Sequence, residues 1–410
     1  MRTYCRTCGS SNLKNFLNLG FTPPADQFLR ESQLLEPETH YPLETAICED
    51  CGLAQLNYVV PAEILYRRDY PYESSITKSG YEHWSEFAES VCNKYRLGAK
   101  DLVIDIGSNV GVLLSAFKEQ GTRILGIDPA SNIVRIAEKR GIETWDEFFS
   151  ESISHKIIKE KGFASIITGT NVFAHVDDLR SFMRGVDSIL NDQGVFIFEA
   201  PYFGNLIEFM EYDTIYHEHL SYFSLKPVMK FVEDFNMEVI HVEERDIHGG
   251  SFRVHISRLG SHKIDKSVKK FIDKEKNLNL EADKTLLDFA NKVYSNRISL
   301  HSLLWDLKNK GNKIAGVSAP AKGMTLLNYC RLGPELLEFI TEKSTLKQGR
   351  FCPGTHIPVV GDEELINQDI DYALLLAWNF SKEIMNNLKE FTDRGGKFII
   401  PIPIPHIIGD

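Results

Sequence analysis

Residues 101–114 read Asp101-Leu-Val-Ile-Asp105-Ile-Gly107-Ser108-Asn109-Val-Gly111-Val-Leu-Leu114. An apolar run, a glycine-containing turn and an apolar-periodic segment predict a strand, a tight loop and the start of a helix. A second apolar run, 123–127, ends at Asp128, and a further predicted strand, 164–168, leads into Asn171. This alternation predicts an α/β domain with a doubly wound sheet, whose ligands bind beyond the carboxyl ends of the strands.

The glycine spacing of this loop bears on the cofactor. A dinucleotide-binding loop carries Gly-x-Gly-x-x-Gly, whereas this chain has Asp-x-Gly-x-x-x-Gly with no third close glycine. The spacing resembles that of class I S-adenosylmethionine-dependent methyltransferases, although this motif alone leaves another Rossmann-like fold open. The resemblance implies that Gly107 and Gly111 shape the loop beside the methionine part of the cofactor and that Asp128 holds its ribose. The predicted cofactor set is Asp105, Gly107, Ser108, Asn109, Gly111, Asp128 and Asn171.

Two Cys-x-x-Cys pairs, each followed directly by a glycine, lie near the N-terminus: Cys5, Cys8, Cys48 and Cys51. Four thiolates form a closed tetrahedral shell, which is typical of structural rather than catalytic Zn²⁺. Four unrelated surface cysteines or a redox pair are the alternatives, and the surrounding sequence lacks the βαβ pattern of a thioredoxin-like redox site. Between the pairs, residues 19–28 form a proline-stiffened segment that could pass over a ligand.

Size and charge exclude some classes of function. The chain has 410 residues, 46 basic against 57 acidic, and a net charge of −11, which argues against nucleic acid as the main partner. Its length predicts more than one domain. The sequence shows no apolar signal region and no run of eighteen apolar residues, so we expect a cytoplasmic monomer without membrane contact.

A polar block lies between two apolar runs, at residues 213–224: Asp213-Thr-Ile-Tyr216-His217-Glu218-His219-Leu-Ser-Tyr222-Phe-Ser224. Imidazoles, a carboxylate and a phenol together supply a base that titrates near neutrality, a group to orient it and a donor for developing negative charge. A metal site or a polar loop is the alternative. The histidine spacing, however, matches neither an i, i+4 helical ligand pair nor a Cys/His finger.

The motifs occur in an order that resembles the S-adenosylmethionine-dependent sugar C-methyltransferases, which methylate carbon 3 of nucleotide-linked 4-keto-6-deoxysugars. The resemblance covers nearly the whole chain. It rests on the four cysteines, the cofactor loop, Asn171-Val-Phe-Ala-His175, the block at 216–224, Gly249-Gly250-Ser-Phe-Arg253 and Gly349-Arg350-Phe-Cys-Pro-Gly-Thr-His356-Ile-Pro358.

This resemblance implies a mechanism. His219 looks like the family's base, which removes the acidic proton next to the ketone to give an enolate whose carbon takes the methyl group without a metal ion. Tyr216 and His175 would lie near the sugar's oxygen, and Glu218 would orient the site or hold a substrate hydroxyl. His217 has no assigned role, and we interpret it as structural.

The C-terminal third repeats the strand-then-turn pattern at 312–325. This pattern is interpreted as a degenerate second α/β unit that binds the nucleotide diphosphate of the keto-sugar, with coincidence between two generic α/β stretches as the alternative. A helix N-terminus near Lys322 suits a phosphate. The predicted substrate residues are Lys322, Lys343, Arg350, His356 and Tyr222.

We therefore expect three domains: a four-cysteine zinc-binding domain (1–70), a Rossmann-like class I methyltransferase domain (71–258) and a second Rossmann-like, nucleotide-sugar-binding domain (259–410). An O- or N-methyltransferase acting on another small molecule stays an alternative. An NAD-dependent sugar epimerase or oxidoreductase would need the dinucleotide loop that this chain lacks. A zinc-ribbon RNA-binding adaptor would need a basic, aromatic surface, which the acidic composition disfavours.

Overall fold

The computed structural model describes residues 1–66, 78–246 and 249–408. Within these ranges the strands are β1 (Leu13–Thr22), β2 (Tyr41–Cys48), β3 (Ala54–Leu56), β4 (Leu102–Ile106), β5 (Arg123–Asp128), β6 (Thr144–Asp146), β7 (Ala164–Thr170), β8 (Leu190–Pro201), β9 (Ser221–Tyr222), β10 (Met237–Arg245), β11 (Ser251–Arg258), β12 (Ile314–Val317), β13 (Ile340–Thr341), β14 (Val359–Val360), β15 (Tyr372–Leu375), β16 (Lys397–Ile400) and β17 (His406–Ile407).

The α-helices connect these strands, mostly on the faces of the sheets. They are α1 (Ala62–Tyr66), α2 (Lys78–Tyr95), α3 (Val112–Glu119), α4 (Ser131–Lys139), α5 (Glu151–Lys161), α6 (Leu179–Ile189), α7 (Phe203–Glu208), α8 (Leu225–Glu233), α9 (Lys266–Leu278), α10 (Asp283–Asn309), α11 (Ala321–Cys330), α12 (Glu364–Asn367), α13 (Ser381–Asn387) and α14 (Lys389–Asp393). No helix in the described ranges has both the length and the apolar character that a lipid bilayer requires.

The central sheet has seven strands in the order β10-β11-β8-β7-β4-β5-β6. Its first five strands in the chain run parallel, and β11 pairs antiparallel with β8. This arrangement confirms the predicted class I methyltransferase fold. It places the loop after β4 and the end of β5 at one edge of the sheet, as expected for the ligand side of a doubly wound fold.

A second mainly parallel sheet follows in the C-terminal third, with the order β14-β13-β12-β15-β16-β17. When its five parallel strands are numbered along the chain, they lie across the sheet in the order third-second-first-fourth-fifth. The five parallel strands of the central sheet lie in the same order. That shared order is the one a second copy of the α/β unit would have, and it confirms the predicted Rossmann-like C-terminal region.

The N-terminal residues form a four-stranded antiparallel sheet, β1-β2-β3-β9. Its last strand comes from the polar block, because Ala54 and Gln55 of β3 pair with Tyr222 and Ser221. One apolar cluster continues from this sheet through residues 203–222 to α10, α11 and the C-terminal sheet. The polar block is therefore fixed from both sides by packing. The predicted boundary at residue 70 lies outside the described residues.

In the charged stretch 263–310, apolar residues at helical spacing (Leu286, Leu287, Phe289 and Val293) predict a packed helical connector. Helices α9 and α10 occupy most of this stretch. Leu286, Phe289 and Val293 of α10 are buried as expected, but Leu287 is 62% exposed because it lies on the opposite face of the helix. The prediction that Leu287 packs with them is wrong.

Candidate active site between the two parallel sheets

A cavity of about 710 Å³ lies where the carboxyl ends of the two parallel sheets meet. Residues following β4, β5 and β7 line one wall, and residues following β12 and β15 line another. The N-terminal region contributes Asp26, and the polar block contributes Tyr216, Glu218 and His219. Except for Gly111, the predicted cofactor and catalytic residues therefore meet in one cavity, although they are separated widely in the chain.

The loop after β4 is held against the end of β5 by backbone hydrogen bonds. The amides of Gly107 and Ser108 both donate to the carbonyl oxygen of Ile127, at 2.7 and 3.2 Å. One Asp128 oxygen accepts a hydrogen bond from the Asn109 amide, and the other accepts one from Ala130, both at 2.9 Å. These contacts fix the Asp128 carboxylate at the cavity wall, where a ribose hydroxyl could reach it.

Burial shapes the charge of the two carboxylates on this wall. It raises the pKa of Asp128 to about 6, against the opposing effect of its two backbone hydrogen bonds. Burial also raises the pKa of Asp105 to about 7, although the Thr168 hydroxyl donates to its carboxylate at 2.7 Å. Polar or cationic ligand groups that contact these side chains would offset this desolvation.

His219 is held in a defined orientation by its own chain. Its Nδ1–H donates to the carbonyl oxygen of Thr214 at 2.8 Å. Since a neutral imidazole carries one proton, this bond leaves Nε2 as the proton acceptor. The Tyr216 ring centre lies 4.0 Å and the His175 ring centre 5.0 Å from that of His219. The three predicted catalytic rings therefore form one cluster that lines the cavity.

His175 follows β7 in a short 3₁₀ turn and is oriented by stacking on Tyr66, with ring centres 6.0 Å apart. Burial lowers the pKa of His175 to about 4, so the imidazole is neutral near pH 7. Its Nε2 is buried without a hydrogen-bond partner among the described residues. A neutral imidazole in this position can donate a hydrogen bond to a ligand oxygen.

Glu218 lies beside two residues that the sequence did not single out. Its carboxylate is buried, and burial, with a smaller effect from the charge of Asp26, raises the pKa of Glu218 to about 8. Asp26 pairs with Lys347 at 3.2 Å, and Lys347 also donates to the Ala319 carbonyl oxygen at 2.8 Å. This contact brings the proline-stiffened N-terminal segment to the cavity, where it had been predicted only as a possible cover.

On the C-terminal side, Lys322 and Lys343 line the cavity as expected for substrate residues. Lys322 lies in the first turn of α11, 3.6 Å from the buried Asp213 carboxylate and over the Trp378 ring. Asn379, in the turn after β15, lines the same wall. Neither Asp213, at the start of the polar block, nor Asn379 was assigned a role from the sequence, because their surroundings depend on tertiary packing.

Four of the predicted site residues do not line this cavity: Gly111, Tyr222, Arg350 and His356. Gly111 begins α3 with a φ of 79°, and an added Cβ would meet Ile142 at 2.8 Å, so helix packing requires the glycine. Tyr222 is buried in β9 behind His219. His356 lies in the loop that precedes β14, and its Nε2 is 3.0 Å from the Glu38 carboxylate. Arg350 lies in the same loop.

His217 fits the structural role interpreted for it. The side chain is fully buried, and its ring packs edge-on against Tyr41 of β2, with centres 5.9 Å apart. Burial lowers the pKa of His217 to about 4. The two histidines of the block therefore point to different environments, the cavity for His219 and the N-terminal sheet for His217.

The four N-terminal cysteines converge as predicted. All four sulfur atoms lie within 4.8 Å of one another, with Cys5–Cys51 at 3.5 Å and Cys8–Cys48 at 3.6 Å. Ligands at the Zn–S bond length of about 2.3 Å in a tetrahedral shell are separated by about 3.8 Å, so the thiol set fits Zn²⁺. These cysteines would hold the ion as a closed structural site at the end of the N-terminal sheet where β1 starts and β2 ends.

Comparisons with known proteins find relatives for three consecutive stretches of the chain. Family models match residues 5–66 (a zinc binding domain), 84–242 (methyltransferase domain) and 246–403 (C-methyltransferase C-terminal domain). The C-methyltransferase NovU of Streptomyces niveus is 34% identical over 405 residues, covering 98% of this chain and 96% of that protein.

Among solved structures, the magnesium protoporphyrin IX methyltransferase ChlM of Synechocystis PCC 6803 with bound SAH is 13% identical. The match covers 47% of this chain and 91% of the ChlM chain, with a TM-score of 0.35. At that TM-score the superposition carries no argument, and the fold assignment rests on the strand order.

Proposed function

This chain belongs to the C-methyltransferase family and is an S-adenosylmethionine-dependent enzyme, and from that premise we propose that it methylates carbon 3 of a nucleotide-linked 4-keto-6-deoxysugar. The observation that carries the proposal is the His219 Nδ1–H hydrogen bond to Thr214, which supports Nε2 as the proton acceptor in the cavity. Carbon methylation next to a ketone needs such a base, whereas transfer to a hydroxyl or amine needs no carbon acid.

The cofactor, when bound, supplies an electrophilic methyl group. Asp128, Asn109 and the loop at 107–109 form the wall that would hold it, because their side chains and amides line the cavity at the end of the central sheet. The buried carboxylate of Asp128 offers two oxygens to ribose hydroxyls. Asp105 and Asn171 complete this wall in the proposal.

The chain's own residues divide the proton chemistry. His219 Nε2 would take the proton from carbon 3, while neutral His175 and the Tyr216 hydroxyl would donate hydrogen bonds to the ketone oxygen as negative charge develops. Glu218, whose raised pKa keeps it largely protonated at neutral pH, can donate a hydrogen bond to a substrate hydroxyl as well as accept one. The proposed base thus has His175, Tyr216 and Glu218 beside it as groups that can hydrogen-bond to the substrate.

The C-terminal wall supports a substrate with a diphosphate. Lys322 and Lys343 place two ammonium groups on the cavity, and the N-terminus of α11 lies on the same wall. A helix N-terminus and nearby lysine ammonium groups both favour phosphate oxygens. Neither Arg350 nor His356 supports the proposal, since both lie away from the cavity.

Solvent deuterium exchange tests this function apart from methyl transfer. A nucleoside-diphosphate 4-keto-6-deoxysugar incubated in D₂O with the enzyme and S-adenosylhomocysteine should exchange its carbon 3 hydrogen, and His219→Ala should abolish that exchange. With S-adenosylmethionine, NMR should show a new methyl carbon bonded to carbon 3. A methyl group on oxygen or nitrogen, or exchange that persists in His219→Ala, would contradict the proposal and favour an O- or N-methyltransferase.

A further inference from the structure

The hairpin of β10 and β11 carries two histidines and a glutamate on one face. His241 and Glu243 are two residues apart on β10, so their side chains point to the same side of the sheet. His255 of β11 lies opposite His241 in the register. Helix α2 packs over this face through Tyr95, and the start of α9 closes it through Asp265 and Ser267.

The three side chains converge on one point. The Nε2 atoms of His241 and His255 lie 3.3 and 3.2 Å from the same Glu243 oxygen, and the three ligand atoms are all within 4.8 Å of one another. Ligands bonded at about 2.0–2.1 Å in a tetrahedral shell are separated by about 3.3–3.4 Å. The two nitrogen–oxygen separations, which also fit hydrogen bonds, are close to the spacing within such a shell.

The outer nitrogens of both histidines are held by polar partners. His241 Nδ1 lies 3.0 Å from the Ser267 hydroxyl and 3.3 Å from the Asp265 carboxylate. Tyr95 Oη lies 2.8 Å from His255 Nδ1. Metal-ligating histidines are typically oriented by such a partner at the nitrogen that does not bind the ion.

The charges nearby leave room for a cation. The other oxygen of Glu243 lies 3.4 Å from Arg245 and 3.6 Å from Arg253, while the first oxygen faces the imidazoles. Arg253 is fully buried, and its Nε and Nη2 both donate to Glu199 Oε2, which neutralises its charge. In this network four carboxylates (Glu86, Glu199, Glu243 and Asp265) meet three cations (Lys94, Arg245 and Arg253).

We propose that His241, Glu243 and His255 bind a second divalent metal ion, with Zn²⁺ the best match to two imidazoles and a carboxylate. This donor set has three protein ligands and so leaves one exchangeable position, unlike the four-thiolate site. His241 also lines a separate cavity of about 1180 Å³ between β10, α2 and α9, which gives an ion a path from solvent. The bound ion would clamp the hairpin at the edge of the central sheet.

Metal content distinguishes the two sites. Protein saturated with Zn²⁺ and freed of excess ion by gel filtration should contain about two zinc ions per chain, and His241→Gln and His255→Gln should each contain about one. His262→Gln is the matched control, because His262 lines the same second cavity but contacts the Gln193 carbonyl oxygen instead. One ion per wild-type chain, or two in both variants, would overturn the proposal.

Cobalt gives a readout that does not depend on the variants folding. Co²⁺ added to wild-type protein whose cysteine site already holds zinc should produce weak ligand-field bands without thiolate charge-transfer bands. Charge-transfer bands would place the ion on cysteines, and the absence of any bands would show that no second site exists. Either of these results would overturn the proposal.

Discussion

Trp378 Nε1–H donates a hydrogen bond of 2.7 Å to the carboxylate of Asp213, although the two residues are 165 positions apart. Asp213 is fully buried at the start of the polar block, and Trp378 follows β15 of the C-terminal sheet. Burial raises the pKa of Asp213, and the Lys322 ammonium opposes this shift. The bond therefore couples the loop that carries the proposed base to the wall that carries the proposed phosphate site.

Trp378→Phe should destabilise the fold and weaken substrate binding. The change keeps the ring that lies beneath Lys322 but leaves the buried Asp213 oxygen without its donor, at a cost of about 1–3 kcal/mol. Urea denaturation gives the stability, and calorimetry gives the affinity. Trp305→Phe is the control, since Trp305 lies on the outer face of α10 and should behave like wild type. Equal stability of the two variants would contradict a structural role for this bond.

His219→Ala should lower the turnover number by about 100-fold or more, because it removes the proposed proton acceptor. His217→Ala removes a nearby imidazole that packs against Tyr41 outside the cavity, so it should lower stability while retaining most of the turnover. Steady-state kinetics and thermal denaturation of both variants separate the two effects. A His219→Ala enzyme with near wild-type turnover would refute the assignment of the base.

The contribution of Glu218 to the stability of the ligand-free protein should fall as the pH rises from about 4.5 to about 8. Its folded pKa of about 8 lies above the unfolded value near 4.3, so the folded state holds a proton that the unfolded state releases in this window. Glu218→Gln should remove this contribution. Between pH 5 and pH 8.5, the free energy of unfolding of the variant relative to that of wild type should therefore increase by a few kcal/mol, on the order expected for such a pKa change. Guanidinium denaturation at pH 5 and pH 8.5 measures it, and an unchanged difference would contradict a raised pKa.

Gly107→Ala should lower both stability and affinity for S-adenosylhomocysteine. The residue has a φ of 69°, and an added Cβ would lie 2.2 Å from a methyl carbon of Val172, so strain and overlap add. Gly121→Ala isolates the strain, about 1–2 kcal/mol, because Gly121 has a φ of 84° with no atom within 4 Å of the added carbon. The double change Gly107→Ala, Val172→Ala should recover only the stability lost to overlap with Val172, while the backbone strain at residue 107 remains. Equal losses in the two single variants would show that Val172 does not constrain the loop.

Removal of zinc should loosen the N-terminal sheet before the central sheet. The four thiols lie together at the end of the sheet where β1 starts and β2 ends, so the ion would contribute folding free energy there. Hydrogen exchange after chelation should increase first in residues 5–56 and then at β9, which pairs with β3. Uniform exchange across the chain would contradict a local role for the ion.

Local patterns determined the parts of this protein whose signal lies within one segment. Strand, loop and helix at 101–114 follow from apolar periodicity and glycine spacing, and the two Cys-x-x-Cys pairs specify a tetrahedral thiolate site at any distance in the chain. The sequence also predicted the role of the polar block, because imidazole, carboxylate and phenol rarely share a short segment without a chemical use.

Tertiary structure alone decided which neighbours surround that block. Asp26 and Lys347 meet across 321 positions, and the position of Tyr222 behind His219 depends on β9 pairing with β3. Arg350 and His356 had suitable chemistry but belong to a loop whose partner is Glu38. Such choices depend on how separate elements pack, and the composition of a segment carries no information about the surface that will cover it. The sequence therefore predicted the fold and the proposed base, while packing selected the residues that surround it.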